Sequence, residues 1–164
     1  MLSILSKALR DYEGDIVEIG AGNGHNTIEF LKLADKYNRM VVVIDPFEED
    51  WAMMPKGYRY PYIEFENRVS EYKHRLFLHK RSSLCSTSDD LCQRTNMAFA
   101  YIDGLQYKGA VLNDLRILSR AKVIVVDDMD RESGESQVPQ AIGTFMQTNG
   151  DRNLTIKNRW AIIT

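Results

Sequence analysis

A chain of 164 residues with 44% apolar and 27% charged residues has the composition of an ordinary soluble globular domain, large enough for a proper core. A formal net charge of −2 gives no general attraction to nucleic acid or to an anionic membrane, and no apolar run approaches the roughly 18 residues of a membrane span. Two cysteines, Cys85 and Cys92, lie without a histidine pattern around them and read as reduced thiols of a cytoplasmic protein rather than as a disulfide or a metal site.

In chain order, Met1 to Tyr12 reads as an amphipathic helix rather than a signal peptide, with Leu5, Ala8, Leu9 and Tyr12 on one face. Glu13-Gly14 ends it. Asp15 to Ile28 then runs D-I-V-E-I-G-A-G-N-G-H-N-T-I. A short buried strand, Ile16 to Ile19, breaks at Gly20-Ala21-Gly22-Asn23-Gly24 and resumes at helical spacing through Phe30, Leu33, Ala34 and Tyr37. Strand, glycine-rich turn and helix make half of a nucleotide-binding βαβ unit, the glycines allowing a sharp turn and close approach of a ligand. Met40 to Ile44 is a second strand, parallel to the first and ending at Asp45-Pro46. Glu48 to Arg59 is read as a loop, and Tyr62, Phe65, Val69 and Tyr72 as one helix.

Leu76-Phe77-Leu78 is the third strand. The basic stretch Lys73 to Arg81 is read as a solvated helix end and strand edge, and His74 and His79, with no carboxylate beside them, are not read as a metal pair. Asp89-Asp90 is expected to cap a short helix within Ser86 to Thr95. Met97 to Ile102 is the fourth strand; Tyr107, Ala110, Val111, Leu115 and Leu118 line a helix; Lys122 to Val126 is the fifth strand. After a polar loop, Met129 to Ser136, a last helix follows through Val138, Ala141, Ile142 and Phe145, with Pro139 in its first turn. Leu154 to Ile156 and Trp160 to Ile163 flank Lys157-Asn158-Arg159 as a closing antiparallel hairpin. No repeat, low-complexity tract or linker divides the chain. The expectation is one domain, 1–164: a doubly wound, Rossmann-like α/β fold with a seven-stranded, mostly parallel sheet and a C-terminal antiparallel hairpin.

Three strands end in carboxylates, at Asp45, Asp103 and the Asp127-Asp128 pair. Strand-terminal Asp often serves only as a cap or turn former. In an open α/β sheet, however, ligands bind outside the carboxyl ends of the strands, where such acids converge. Asp45 stands where a dinucleotide-fold acid accepts from ribose hydroxyls. Asp103, Asp127 and Asp128 offer hard oxygen ligands that suit Mg²⁺ or Ca²⁺ better than Zn²⁺.

Val17 to Gly24, V-E-I-G-A-G-N-G, resembles the first motif of class I S-adenosylmethionine-dependent methyltransferases. Y-I-D-G-L-Q-Y-K-G from Tyr101 and V-I-V-V-D-D ending at Asp128 resemble the metal-dependent small-molecule O-methyltransferases of the macrocin and catechol type. The resemblance spans Ile16 to Thr164, and is closer to the macrocin type through Asp103-Gly104, Tyr107, Asp114 and Asp127-Asp128. It implies transfer of a methyl group from S-adenosylmethionine to a hydroxyl of a sugar or other small molecule, assisted by Mg²⁺. Glu18, Gly20, Ala21, Gly22 and Asn23 would line the methionine and ribose part of the cofactor, Asp45 would bind the ribose diol, and Ser83 would sit by the adenine. Asp103, beside the cofactor, would hold the metal with Asp127 and Asp128. The metal would acidify the hydroxyl and orient it towards the methyl group.

Two positions depart from that pattern. Gln106 stands where the family usually has a basic residue serving as general base, and an amide accepts no proton at neutral pH. Either the metal alone activates the hydroxyl, or another group such as His25 serves, or the chain is a catalytically silent relative that binds cofactor or a partner. Arg81 stands where the family tends to have glycine. The acceptor side is either open, or built from Glu48 to Tyr62, or completed by a second subunit in a homo-oligomer; Trp51, Tyr58, Tyr60 and Tyr62 form either an aromatic wall there or a packed loop. The partner expected is a small hydroxyl-bearing acceptor, with neither nucleic acid nor membrane involved.

Overall fold

The computed structural model describes residues 1–47, 62–130 and 137–164. Chain order gives α1 (Leu2–Asp11), β1 (Asp15–Ile19), α2 (His25–Tyr37), β2 (Val41–Ile44), α3 (Tyr62–Val69), a 3₁₀ segment (Ser70–Arg75), β3 (Leu76–His79), α4 (Ser86–Arg94), β4 (Met97–Ile102), α5 (Lys108–Ile117), β5 (Val123–Val126), α6 (Val138–Thr148), β6 (Leu154–Lys157) and β7 (Trp160–Ile163). The alternation of strand and helix expected from the sequence is the one observed. The loop Glu48 to Arg59 and its aromatic residues Trp51, Tyr58 and Tyr60 lie outside the described residues, as does most of the loop before α6.

One seven-stranded sheet carries the chain in the order β3-β2-β1-β4-β5-β7-β6. The pairs β1–β2, β1–β4, β2–β3 and β4–β5 are parallel, while β7 runs antiparallel to both β5 and β6. β2, β4 and β5 are apolar throughout, and β1 is so apart from Asp15 and Glu18, because helices cover both sheet faces. On one face Leu5, Leu9, Phe30, Leu31 and Phe65 of α1, α2 and α3 pack on Ile16, Val43, Phe99 and Val125. On the other, Cys92, Val111, Leu115, Ile142 and Phe145 of α4, α5 and α6 pack on Val17, Ile44, Ala100 and Ile124. Each such fully buried aliphatic or aromatic side chain is worth about 1.5–3 kcal/mol of transfer free energy.

Two local readings change. The expected helix through Tyr72 stops at Val69, and the backbone kinks at Tyr72 (φ −110°, ψ 20°), which turns the chain into β3. Asp89 does not cap α4; it lies in the helix's first turn, where its carboxylate faces the positive end of the helix dipole and pairs with Arg116 at 3.0 Å. His74 and His79 are separated by their partners, His74 with Asp35 at 3.0 Å and His79 beside the Thr87 hydroxyl at 3.3 Å. Pro139 sits in the first turn of α6, and neither cysteine forms a disulfide. Among the described residues no helix is long and apolar enough to cross a membrane.

Candidate cofactor and acceptor site

Strand register builds the site. Ile19 lies beside Ile44 on one side and Ile102 on the other, and Ile102 lies beside Val126. The residues that follow these four are Asp45, Gly20, Asp103 and Asp127, so they form a row across the carboxyl edge of the sheet. The backbone ladder extends one step into this row. Asp45 N–H donates to the His79 carbonyl (3.3 Å), Gly20 N–H to Ile44 (3.1 Å), Asp103 N–H to Ile19 (2.9 Å) and Asp127 N–H to Ile102 (2.9 Å). Helix connections from β1 and β4 leave in opposite directions, which makes the gap between them the topological switch point where open α/β sheets bind ligands.

The glycine loop rises from the middle of this row. Gly20, Gly22 and Gly24 have φ of +85°, +53° and +81°, the left-handed region where a side chain is strained. At Gly20 space forbids a side chain as well, since a Cβ would strike the Asp103 carbonyl and come within 2.7 Å of the Gly104 Cα. The loop delivers the chain to the N-terminus of the 13-residue α2, whose dipole favours a negative group there. Arg68 of α3 steadies the loop from outside, its Nε donating to the Asn23 carbonyl at 2.9 Å. His25, exposed at the start of α2, stands 3.5 Å from Arg68.

Asp45 is tucked beneath the loop. Its Oδ2 accepts from the N–H groups of Ala21 (2.8 Å) and Gly22 (3.1 Å), and its Oδ1 from Phe47 N–H (2.7 Å). Phe47 adopts φ +47° to make that bond, a conformation costing about 1–3 kcal/mol in a bulky residue. A carboxylate offers about four lone-pair sites, so one remains on Oδ1. The loop amides thus claim Oδ2, contacts that the sequence reading of Asp45 as a ribose acceptor did not include. Burial raises the Asp45 pKa against the opposing pull of these three backbone hydrogen bonds.

Glu18 lies one residue below the row and is fully buried. Thr27 of α2 donates its hydroxyl to Glu18 Oε2 at 2.6 Å, while Oε1 has no hydrogen-bond partner among the described residues. Burial, reinforced by the charges of Asp103 and Asp45, pushes the carboxyl up to about 8, so near neutral pH it holds a proton. Glu18 thus ties β1 to α2 on either side of the glycine loop. Ser83, in the loop after β3, accepts from Asn113 Nδ2 through its backbone carbonyl (2.9 Å). Its side chain also hydrogen-bonds Asp114, a buried carboxyl of α5 that desolvation raises to about 7.

At the other end of the row the acids meet a cation. Antiparallel pairing of Val126 with Ala161 brings Arg159, in the β6–β7 turn, over the end of β5. The Arg159 Nε donates to Asp127 Oδ1, and its Nη2 to Asp128 Oδ1 at 2.8 Å. Tyr101 of β4 donates its hydroxyl to Asp127 Oδ2, and Gln106 donates Nε2 to Asp128 Oδ2. Asp128 N–H closes back on Asp127 Oδ1 at 2.7 Å, with Asp128 at φ +63°. All four oxygens of the pair thus accept from protein donors. The hydrogen bond to Asp127, together with the charges of Asp127, Asp128 and Asp103, raises the Arg159 pKa. Among the described residues no group of three or more His, Cys, Asp or Glu side chains is disposed to hold a metal ion. The expected Mg²⁺ site at Asp103, Asp127 and Asp128 does not fit this donor arrangement. A guanidinium stands where the cation was expected, because the hairpin turn folds back over β5. A shallow depression, open to solvent, is lined by Asp103, Gln106, Asp127, Asp128 and Val138.

The sequence reading missed Arg159, Tyr101 and Thr27. Arg159 had a signal: a hairpin whose last strand pairs antiparallel to the fifth must set its turn at the carboxyl edge, beside Asp127-Asp128.

The sequence matches no protein-family model and no curated protein. Among solved structures, the fold is that of S-adenosylmethionine-dependent methyltransferases. CalS11, a TDP-rhamnose 3′-O-methyltransferase of calicheamicin biosynthesis, aligns with a TM-score of 0.68 at 18% identity, over 99% of this chain and 76% of that one. Cofactor-bound Rv0187 from MTB aligns at 0.66 with 16% identity, again over 99% and 76%. S-adenosylhomocysteine-bound PaMTH1 of Podospora anserina aligns at 0.60 with 12% identity over the same shares. At these identities the likeness establishes the architecture, and function rests on the site's own chemistry.

Proposed function

We propose that this chain is an S-adenosylmethionine-dependent O-methyltransferase acting on a hydroxyl of a sugar or other small molecule. The observation that carries the reading is the row Asp45–Gly20–Asp103 at the switch point, crossed by a left-handed glycine loop that opens α2. CalS11, a sugar O-methyltransferase with the same architecture, supports the acceptor class.

When bound, S-adenosylmethionine supplies a methyl group on an electrophilic sulfonium, so the protein's task is alignment and removal of one proton. The loop Gly20 to Asn23 would let the backbone approach the methionine and ribose closely, with the N-terminus of α2 facing the carboxylate. Asp45 Oδ1 has one lone pair for a ribose hydroxyl, and Ser83 would border the adenine. Protonated Glu18 keeps a third negative charge away from Asp45 and Asp103. We assign Asp103 the acceptor's proton, since it ends β4 beside the loop and borders the depression. Mg²⁺ is left out of this reading because the oxygens of Asp127 and Asp128 already accept from Arg159, Tyr101 and Gln106.

A second reading has one observation behind it: Gln106 directs its amide to Asp128 and has no basic nitrogen to offer. In that reading the chain binds the cofactor without transferring its methyl group. Incubation with labelled S-adenosylmethionine and a panel of nucleoside-diphosphate sugars and catechols separates the two. A methylated product that disappears in Asp103→Asn supports transfer. A protein that binds the cofactor yet methylates nothing, even as Gln106→His, supports the silent reading.

A further inference from the structure

We propose that the guanidinium of Arg159 is the resident cation of the Asp127–Asp128 pair, so that this acid cluster works without a divalent metal. The geometry is the argument. A divalent cation at two adjacent carboxylates needs at least one lone pair from each directed at a shared point. Here the inward point is filled by one planar fork, whose Nε and Nη2 reach Oδ1 of the two acids in turn. The other two oxygens, Oδ2 of Asp127 and of Asp128, accept from Tyr101 and Gln106 instead.

Each holder is itself fixed. Tyr101 is buried in the sheet, its ring packed edge-on against Phe30 at 5.4 Å. Gln106 is tied through its backbone carbonyl, which accepts from Gln137 N–H at 2.9 Å. Arg159 sits on the turn closed by the β7 pairing, and its carbonyl accepts from Met129 N–H at 2.9 Å, which locks the turn to the end of β5. A fork-shaped donor matched to two carboxylates, with both acids about 95% buried, is charge compensation built into the fold. Removing it would leave two adjacent buried acids without their counter-charge, the costly case for an ion pair. Neighbouring donors also fix Asp127 and Asp128 in the rotamers that the fork requires, so a metal would have to break several bonds before forming its own. This inference stands on the acid cluster alone and does not depend on the chain being a methyltransferase.

Two measurements test it. Mn²⁺ is titrated into the wild-type protein and followed by the electron paramagnetic resonance signal of the free ion. The expected result is a free signal that tracks total Mn²⁺ into the millimolar range. Bound Mn²⁺ at sub-millimolar concentration, lost in Asp127→Asn, overturns the proposal. Separately, thermal midpoints of Arg159→Gln and Arg159→Lys are compared with wild type at low salt. Arg159→Gln should fall by about 5 °C or more, with Arg159→Lys recovering part of the loss. An Arg159→Gln variant as stable as wild type overturns the proposal equally. The wild-type titration needs no variant to fold.

Discussion

Replacing Glu18 with glutamine should flatten the pH dependence of stability. Folded Glu18 keeps its proton up to about 8, whereas the exposed carboxyl of the unfolded chain loses it near its ordinary 4.5. Below 4.5 both states are protonated and the residue contributes no pH dependence. As the pH climbs from about 4.5 to about 8 the unfolded chain ionises while the folded one does not, so wild-type stability falls through that window. The displacement corresponds to roughly 5 kcal/mol, and the loss levels off above 8. Glutamine carries no such proton. It does bring an amide N–H to the place where Glu18 Oε1 has no partner among the described residues, at a cost of about 1–3 kcal/mol. Glu18→Gln should therefore be less stable than wild type near pH 5 and more stable, by about 2–4 kcal/mol, near pH 8. Buried Asp114, raised to about 7, adds a fall of the same sign to both proteins, so the informative quantity is the difference between them. Urea unfolding followed by tryptophan fluorescence at several pH values measures it. Parallel stability curves for the two proteins would refute the claim that Glu18 is buried as a neutral acid.

Two glycines make a contrasting pair. Gly20→Ala adds left-handed strain at φ +85° to a collision with the backbone of Asp103 and Gly104, and should cost about 2–5 kcal/mol in the same urea assay. Gly143, exposed within α6, has nothing within 4 Å of an added Cβ, so Gly143→Ala should stabilise by about 0.5–1 kcal/mol. Equal effects of the two substitutions would contradict the tight crossing of the loop over β4.

How far the sequence went depended on the range of the interaction. Period and punctuation are local, so the strands Ile16–Ile19 and Met97–Ile102, the glycine break and the closing hairpin could be read directly. The row of strand ends was legible too, because parallel strands of similar length that stop in Asp or Gly align their ends. What those side chains do to each other was not legible. The chain after Gly20 curls back so that Ala21 and Gly22 offer their amides to Asp45, a path that no residue pattern encodes. Arg159 looked like an ordinary turn residue, and only the pairing of Val126 with Ala161 puts it against the acids. The helix through Tyr72 failed for a related reason. Apolar spacing continued, yet β3 starts at Leu76 and the chain must turn before it.

If the glycine loop and Asp45 form a site for the S-adenosyl cofactor, calorimetric titration with S-adenosylhomocysteine reveals it. Wild-type protein should bind one equivalent at micromolar concentration. Asp45→Ala removes the remaining ribose acceptor and releases the Ala21 and Gly22 amides, and should weaken binding at least tenfold while Gly143→Ala leaves it unchanged. No heat of binding up to millimolar S-adenosylhomocysteine, from wild-type protein shown to be folded, would mean that the loop and Asp45 hold no S-adenosyl cofactor.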